Sequence, residues 1–308
     1  METLESGPAK AVEKIRQQLA AVLVGKGDVI EQVLISLLAG GHLLIEDVPG
    51  VGKTTLAHAL AQSLSTDFGR IQFTADLLPA DIIGVEIYDP AEKQFVFHPG
   101  AVFNHIVLAD EINRATPKAQ SALLEAMAEG QVSTEGETRV LPDPFFVIAT
   151  QNPMEHMGTF PLPESQLDRF FMRISIGYPD AEAERKILQG EAGQACLSDL
   201  EAVASWQDIV QMRQSIAALQ LTELLLDYVL KLLETSRNGV WLQQGISPRA
   251  GRDLIQAARA RAWLAGQAFV TAADVQAVWL PCLVHRVIAA GDCEAALMGL
   301  LESVPVPA

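Results

Sequence analysis

The chain is poor in cysteine, in basic charge and in long apolar runs, and each shortage closes a class of explanation. Cys196, Cys282 and Cys293 are odd in number and far apart, with no Cys-x-x-Cys pair. They suggest neither a disulfide framework nor a zinc site. Lys and Arg total 22 against 38 Asp and Glu, a formal net charge of -16. A broad nucleic-acid-binding face needs the opposite balance, because such binding is driven by counterion release from phosphates. Only a local basic channel stays open. The longest charge-free apolar stretch, 32–45, is cut by Gly40, Gly41 and His42 and is too short to span a bilayer. The stretch Met1-Glu2-Thr3-Leu4-Glu5 is acidic and has no apolar core. No signal peptide is read there, and the cytoplasm is the expected compartment. The six histidines do not cluster. Cys282 and His285 fall on one helical face, but two groups make no metal site, and core packing accounts for them. Repeats are absent, as is low complexity beyond a Pro/Val tail at 304–308.

What is present is a core. Hydrophobic residues make up 49% of 308 positions, enough for two domains that each bury apolar surface. The organising stretch runs Leu43-Leu44-Ile45-Glu46-Asp47-Val48-Pro49-Gly50-Val51-Gly52-Lys53-Thr54-Thr55-Leu56. Three apolar residues read as a buried strand. A Pro/Gly loop follows, and a helix starts at Gly-Lys-Thr. Glycines let backbone N–H groups close around phosphates at a helix amino end, Lys53 reaches the terminal phosphates, and the Thr54 hydroxyl coordinates Mg²⁺. One letter departs from the general pattern: Asp47 stands where a glycine is usual.

Along the rest of the chain, helical spacing covers 8–23, and Asp28 is a candidate cap for a second helix ending at Leu38. A helix over 54–65, a strand over 70–73 and an acidic, Pro-containing loop to Gly84 follow. Hairpins are predicted at about 85–98 and at about 131–141, the second turning at Glu135-Gly136. Between them lie a strand at 106–109 and a helix capped by Thr116, begun by Pro117 and stopped at Gly130. A strand at 145–149, a short helix at 167–170 and a strand at 172–176 complete the alternation. From Tyr178-Pro179-Asp180 onward strand patterns stop, and helices are expected near 181–192, 206–219, 222–236, 247–264 and 271–290. The fold class read from this is α/β over 1–178, with a parallel sheet covered on both faces, then an all-helical domain over 179–308.

Asp110 and Glu111 end an apolar strand, where one carboxylate can hold Mg²⁺ and its neighbour can polarise a water. Asn152 follows the next strand and can orient that water, because the carboxyl ends of neighbouring parallel strands share one crevice. Arg169 can stabilise phosphoryl charge from its own chain or across a subunit interface. Arg249, at a helix start with Ser247 as cap, can reach phosphates from the side of the second domain.

This order of motifs resembles the AAA+ ATPases. Glu46-Asp47-Val48-Pro49-Gly50-Val51-Gly52-Lys53-Thr54, Asp110-Glu111-Ile112-Asn113-Arg114-Ala115 and Leu162-Pro163-Glu164-Ser165-Gln166-Leu167-Asp168-Arg169-Phe170 narrow the resemblance to the MoxR family. Asp47 suits that family. The resemblance implies a P-loop NTPase with a five-stranded parallel sheet and an all-α lid, using ATP and Mg²⁺. It implies that Pro49, Gly50, Val51, Gly52, Lys53, Thr54 and Thr55 form Walker A, and Asp110 and Glu111 Walker B. Asn152 becomes sensor 1, Arg169 an arginine finger acting in trans, and Arg249 sensor 2, with Val24 and Gly25 beside the adenine. It makes the two hairpins helix-2 and pre-sensor-1 insertions, candidates to engage substrate. It further implies a homo-oligomeric ring, expected to be hexameric, a von Willebrand factor A-type partner, and client protein complexes undergoing assembly, metal-cofactor insertion or activation. Alternatives within reach of the same residues are a chelatase-like or DNA-acting motor and a non-hydrolysing assembly switch.

Overall fold

The computed structural model describes residues 7–134, 136–153 and 158–307; Met1 to Glu5 and the turn residue Glu135 named above lie outside them. Helices α1 (Gly7–Val22) and α2 (Gly27–Leu38) lead into strand β1 (Leu43–Glu46), and α3 (Lys53–Ser63) follows the Pro/Gly loop. Asp28 does not cap α2. The helix already starts at Gly27, which leaves Asp28 in its first turn, where a negative charge suits the helix dipole. Strand β2 (Phe68–Gln72) precedes a five-residue helix, α4 (Pro79–Ile83), in the stretch expected to be loop. Then come β3 (Val85–Asp89), β4 (Gln94–His98), β5 (Ile106–Asp110), α5 (Pro117–Glu129), β6 (Gln131–Thr134), β7 (Glu137–Val140) and β8 (Phe146–Gln151). Helix α6 (Glu164–Leu167) sits three residues earlier than expected, before β9 (Met172–Ile174).

The sheet order is β2-β5-β8-β1-β9, with every pairing parallel. Alternate residues of each strand feed opposite faces. Leu43 and Ile45, Ile106 and Leu108, and Phe146 and Ile148 join one apolar cluster, while Leu44, Val107, Ala109, Val147 and Ala149 join the other. That alternation lets near-continuous apolar runs hold a sheet buried on both sides. It also places the carboxyl ends of β1, β5 and β8 along one edge.

Beyond β9 the described residues hold only helices and loops: α7 (Ala181–Leu188), a 3₁₀ segment Gly193–Asp199, α8 (Trp206–Ala217), α9 (Glu223–Ser236), α10 (Pro248–Leu264), α11 (Ala272–Leu283) and α12 (Cys293–Ser303). The first cluster runs on through Ile209, Met212, Leu254 and Trp279, so these helices share a core with α2. Helix α11 stops at Leu283 rather than at 290, and Asp292 caps a further helix by accepting from Glu294 N at 3.1 Å. No helix among the described residues is long and apolar enough to cross a membrane.

Strands β3–β4 and β6–β7 form two separate antiparallel pairs. Arg139 on β7 joins them. Its Nη2 donates to Glu86 Oε1 at 2.8 Å, and its guanidinium lies 4.0 Å from the centre of the Phe97 ring. Ile87, Tyr88 and Phe95 stay half or more exposed on the first hairpin.

Candidate nucleotide site

Gly50 and Gly52 carry φ angles of +86° and +98°, a region that costs a residue with a Cβ. Gly52 is the cap of α3 and no side chain caps that helix, and a helix amino end of this kind suits an anionic ligand. Lys53 Nζ donates to the carbonyls of Asp47 and Val48 at 2.7 and 3.3 Å, folding back over the loop. Pro49, Gly50, Gly52, Lys53, Thr54, Thr55, Asp110, Glu111 and Asn152 line one cleft of about 260 Å³. A second pocket of about 340 Å³ adjoins it across Gly50, Gly52 and Thr55 and is walled by Val24, Val51, Ile176, Gly177 and Tyr178. Gly25 does not line either pocket; it turns, at φ +76°, beside Asp180.

The two carboxylates are held by residues that sequence reasoning passed over. Buried Thr150 donates to Asp110 Oδ1 at 2.7 Å and accepts the Glu111 N–H at 2.9 Å. Arg70 bridges to Asp110 Oδ2 at 2.8 Å. Gln72 and Arg114 donate to Glu111 Oε2 at 2.8 and 2.9 Å. Arg70 and Gln72 sit two apart on β2, next to β5, so their side chains share a face. That register is the signal that could have found them. Glu111 itself has φ +57°, an uncommon conformation for a residue with a side chain.

Hard oxygen ligands at this edge suit Mg²⁺, which is commonly bound by one or two protein oxygens together with substrate phosphates. Thr54 and Asp110 both face the cleft, and no group of three His, Cys, Asp or Glu among the described residues could cage a metal alone. The site therefore fits an ion that arrives with a polyphosphate.

Asp47, at the start of the phosphate loop, lines neither pocket but ties that loop to the turn after β9. Burial raises the pKa of its carboxyl, but donations from Gly177 N, Ser175 Oγ, Val48 N and Ile176 N outweigh that and hold it below the usual carboxylate value. Residues 175–177 thereby leave the sheet, which is why β9 ends at Ile174 rather than at 176.

Arg169 and Arg249 are not among the residues lining this cleft. Arg169 precedes β9, at the amino edge of the sheet, about 10 Å of strand away from the cleft. His285 Nε2 donates to the neighbouring Phe170 carbonyl at 2.8 Å, as does the Arg286 guanidinium, which also bridges to Asp253 at 2.9 Å. Arg249, one turn before Asp253, lines a groove with Ala128, Glu129, Pro248 and Arg252. Ser247 caps its helix, accepting from Ala250 N at 3.1 Å. Helix α10 packs on α2 and α11, and the Arg249 charge acts on His42, which precedes β1, so the start of α10 stands near the amino edge of the sheet.

Comparison with known proteins agrees with this geometry. A family described as "ATPase family associated with various cellular activities (AAA)" matches residues 42–172, and an AAA lid domain matches residues 234–298. The fold and the phosphate loop thus define a AAA+ protein. Chaperone MoxR1 of Mycobacterium tuberculosis is 38% identical over 312 residues, covering 96% of this chain and 82% of that one. Protein MoxR of Paracoccus denitrificans is 31% identical over 323 residues, covering 94% of each. A crystal structure of a candidate ATPase from Cytophaga hutchinsonii matches with a TM-score of 0.90 at 34% identity, covering 98% of this chain and 96% of that one. The chain belongs to the MoxR family of AAA+ ATPases.

Proposed function

We propose that the protein hydrolyses ATP in a site completed by a second copy of itself and uses the energy to remodel client protein complexes. The observation that carries this is the convergence of the α3 amino end, Thr54, Asp110, Glu111 and Asn152 in one cleft, with Arg169 at the opposite edge of the sheet. In this reading the chain divides near residue 178, the phosphates lie against Gly50 to Thr55, and the base enters the pocket beside Val24. Mg²⁺, held by Thr54 and Asp110, would neutralise charge on the transferred phosphoryl group. Glu111 takes the proton of the attacking water, and Asn152 orients that water. Arg169 and Arg249, unable to serve their own cleft, face the cleft of the next subunit. Such a head-to-tail contact closes into a ring, expected to be hexameric.

The exposed Ile87, Tyr88 and Phe95 are the surface offered to a client, since clustered apolar side chains outside a core mark interaction sites. A chaperone-like role accords with the name of the Mycobacterium tuberculosis relative. Clients are complexes under assembly or cofactor maturation, presented by a von Willebrand factor A-type partner. Glu111→Gln tests the chemistry. It should retain ATP yet turn over on the order of a hundredfold more slowly, and normal turnover would sink the assignment. Mixing tests the shared site: Lys53→Ala and Arg169→Ala, each inactive alone, should regain activity together.

A further inference from the structure

Asp47 is the position at which the phosphate-loop pattern breaks, and both of its carboxylate oxygens are engaged. Oδ1 accepts from Val48 N at 2.9 Å. Oδ2 accepts from Ser175 Oγ at 3.0 Å, Ile176 N at 2.6 Å and Gly177 N at 2.7 Å. Its own N–H donates to Gln151 O at 3.2 Å, and its carbonyl takes Lys53 Nζ at 2.7 Å. One residue therefore touches the end of β8, the phosphate-loop lysine and the turn after β9. Ile176, Gly177 and Tyr178 from that turn wall the second pocket. The same turn leads through Pro179 into Asp180, the cap of α7, which accepts from Ala183 N at 2.8 Å. Glu46, one residue earlier, faces the other way and pairs with Arg173 at 2.7 Å, which reaches Glu294 on α12 at 3.6 Å. A glycine at position 47 could accept none of the side-chain bonds.

We propose that Asp47 is a positioning residue that fixes the base-side wall, and with it the start of the helical domain, against the phosphate loop. The phosphate end and the base end of a nucleotide then bind as one unit. This rests on the nucleotide reading above.

The test needs no turnover. Calorimetry gives the affinity of wild type, Asp47→Asn and Ser175→Ala for ADP and for inorganic tripolyphosphate, which has phosphates and no base. Asn keeps the size of Asp but replaces one acceptor oxygen by a donor, leaving N–H groups of the turn unpaired. Ser175→Ala removes a single donor on the turn side and leaves the phosphate loop alone. ADP should weaken about tenfold in Asp47→Asn and about threefold in Ser175→Ala, with tripolyphosphate within about twofold of wild type in both. Equal losses for both ligands, or no loss for ADP, would overturn the inference. A wild-type chain that binds neither ligand would end the nucleotide reading itself, and this inference with it.

Discussion

Replacing Thr150 by valine keeps the side chain's shape and removes its hydroxyl, which isolates how the two carboxylates are held. The residue is fully buried, donates to Asp110 at 2.7 Å and takes the Glu111 N–H at 2.9 Å. Losing a bond to a charged acceptor costs about 1.5–3 kcal/mol, and stranding an amide costs about 1–3 kcal/mol. Water entering from the cleft recovers part of this, leaving about 2 kcal/mol, or about 4–8 °C in the unfolding midpoint of a domain this size. Turnover should suffer more. Glu111 is held at φ +57°, a conformation that costs about 1–3 kcal/mol and persists only under restraint. With its N–H released, the carboxylate shifts, and displacement by about 1 Å is worth on the order of a hundredfold in rate. Single-turnover ATP hydrolysis, measured beside ADP affinity and thermal unfolding, should show a slow variant that still binds ADP. A valine variant with wild-type turnover would mean that Thr150 does not hold Glu111, and the reasoning would fail.

Acid should loosen the fold through two histidines. Burial pushes His42 down to about 4 and His285 down to about 3, the second aided by the Arg286 charge. Below the ordinary value of 6.5 the unfolded chain binds protons that the folded one refuses, so stability falls as pH falls. Near pH 5 each residue costs about 2 kcal/mol; a urea midpoint unchanged between pH 7.5 and 5 would refute this. His42 has little freedom to do otherwise: Nε2 donates to Met127 O at 3.2 Å while Nδ1 accepts from Val147 N at 3.1 Å. Arg139→Ala should free the first hairpin from the second. Hydrogen exchange over 85–98 should quicken severalfold, since the lost ion pair and ring contact are each worth about 1 kcal/mol. Unchanged exchange would show that Arg139 is no link.

The sheet was legible because burial on both faces leaves a plain mark: Leu43 to Ile45, Ile106 to Ala109 and Phe146 to Ala149 are apolar at every position. The cleft's own edge was legible for a similar reason, since the phosphate loop, Asp110-Glu111 and Asn152 each sit where a strand run ends. Helix ends were less so. The apolar residues after Leu283 extend the helical pattern without the backbone following it, and Gly291-Asp292 is the restart that an eye on periodicity passes over. Helix α4 is too short to show a period at all. Thr150, Arg70 and Gln72 were hidden because their importance lies in strand register rather than in local pattern. Arg249 marks a different limit: its capped helix start was legible, but no local signal says which edge of the sheet that helix meets.

All four tryptophans follow residue 178, so the molecule's tryptophan emission comes from its helical part. Trp279 is buried, with its indole N–H on Leu297 O at 3.0 Å, and should glow steadily. Trp206 is different. Its ring stacks on His105 of the sheet half, with centroids 5.8 Å apart and planes 18° from parallel. Any turn of one half against the other must slide or part that stack. Trp206 emission would therefore report such a turn without any dye, with buried Trp279 as the steadier reference.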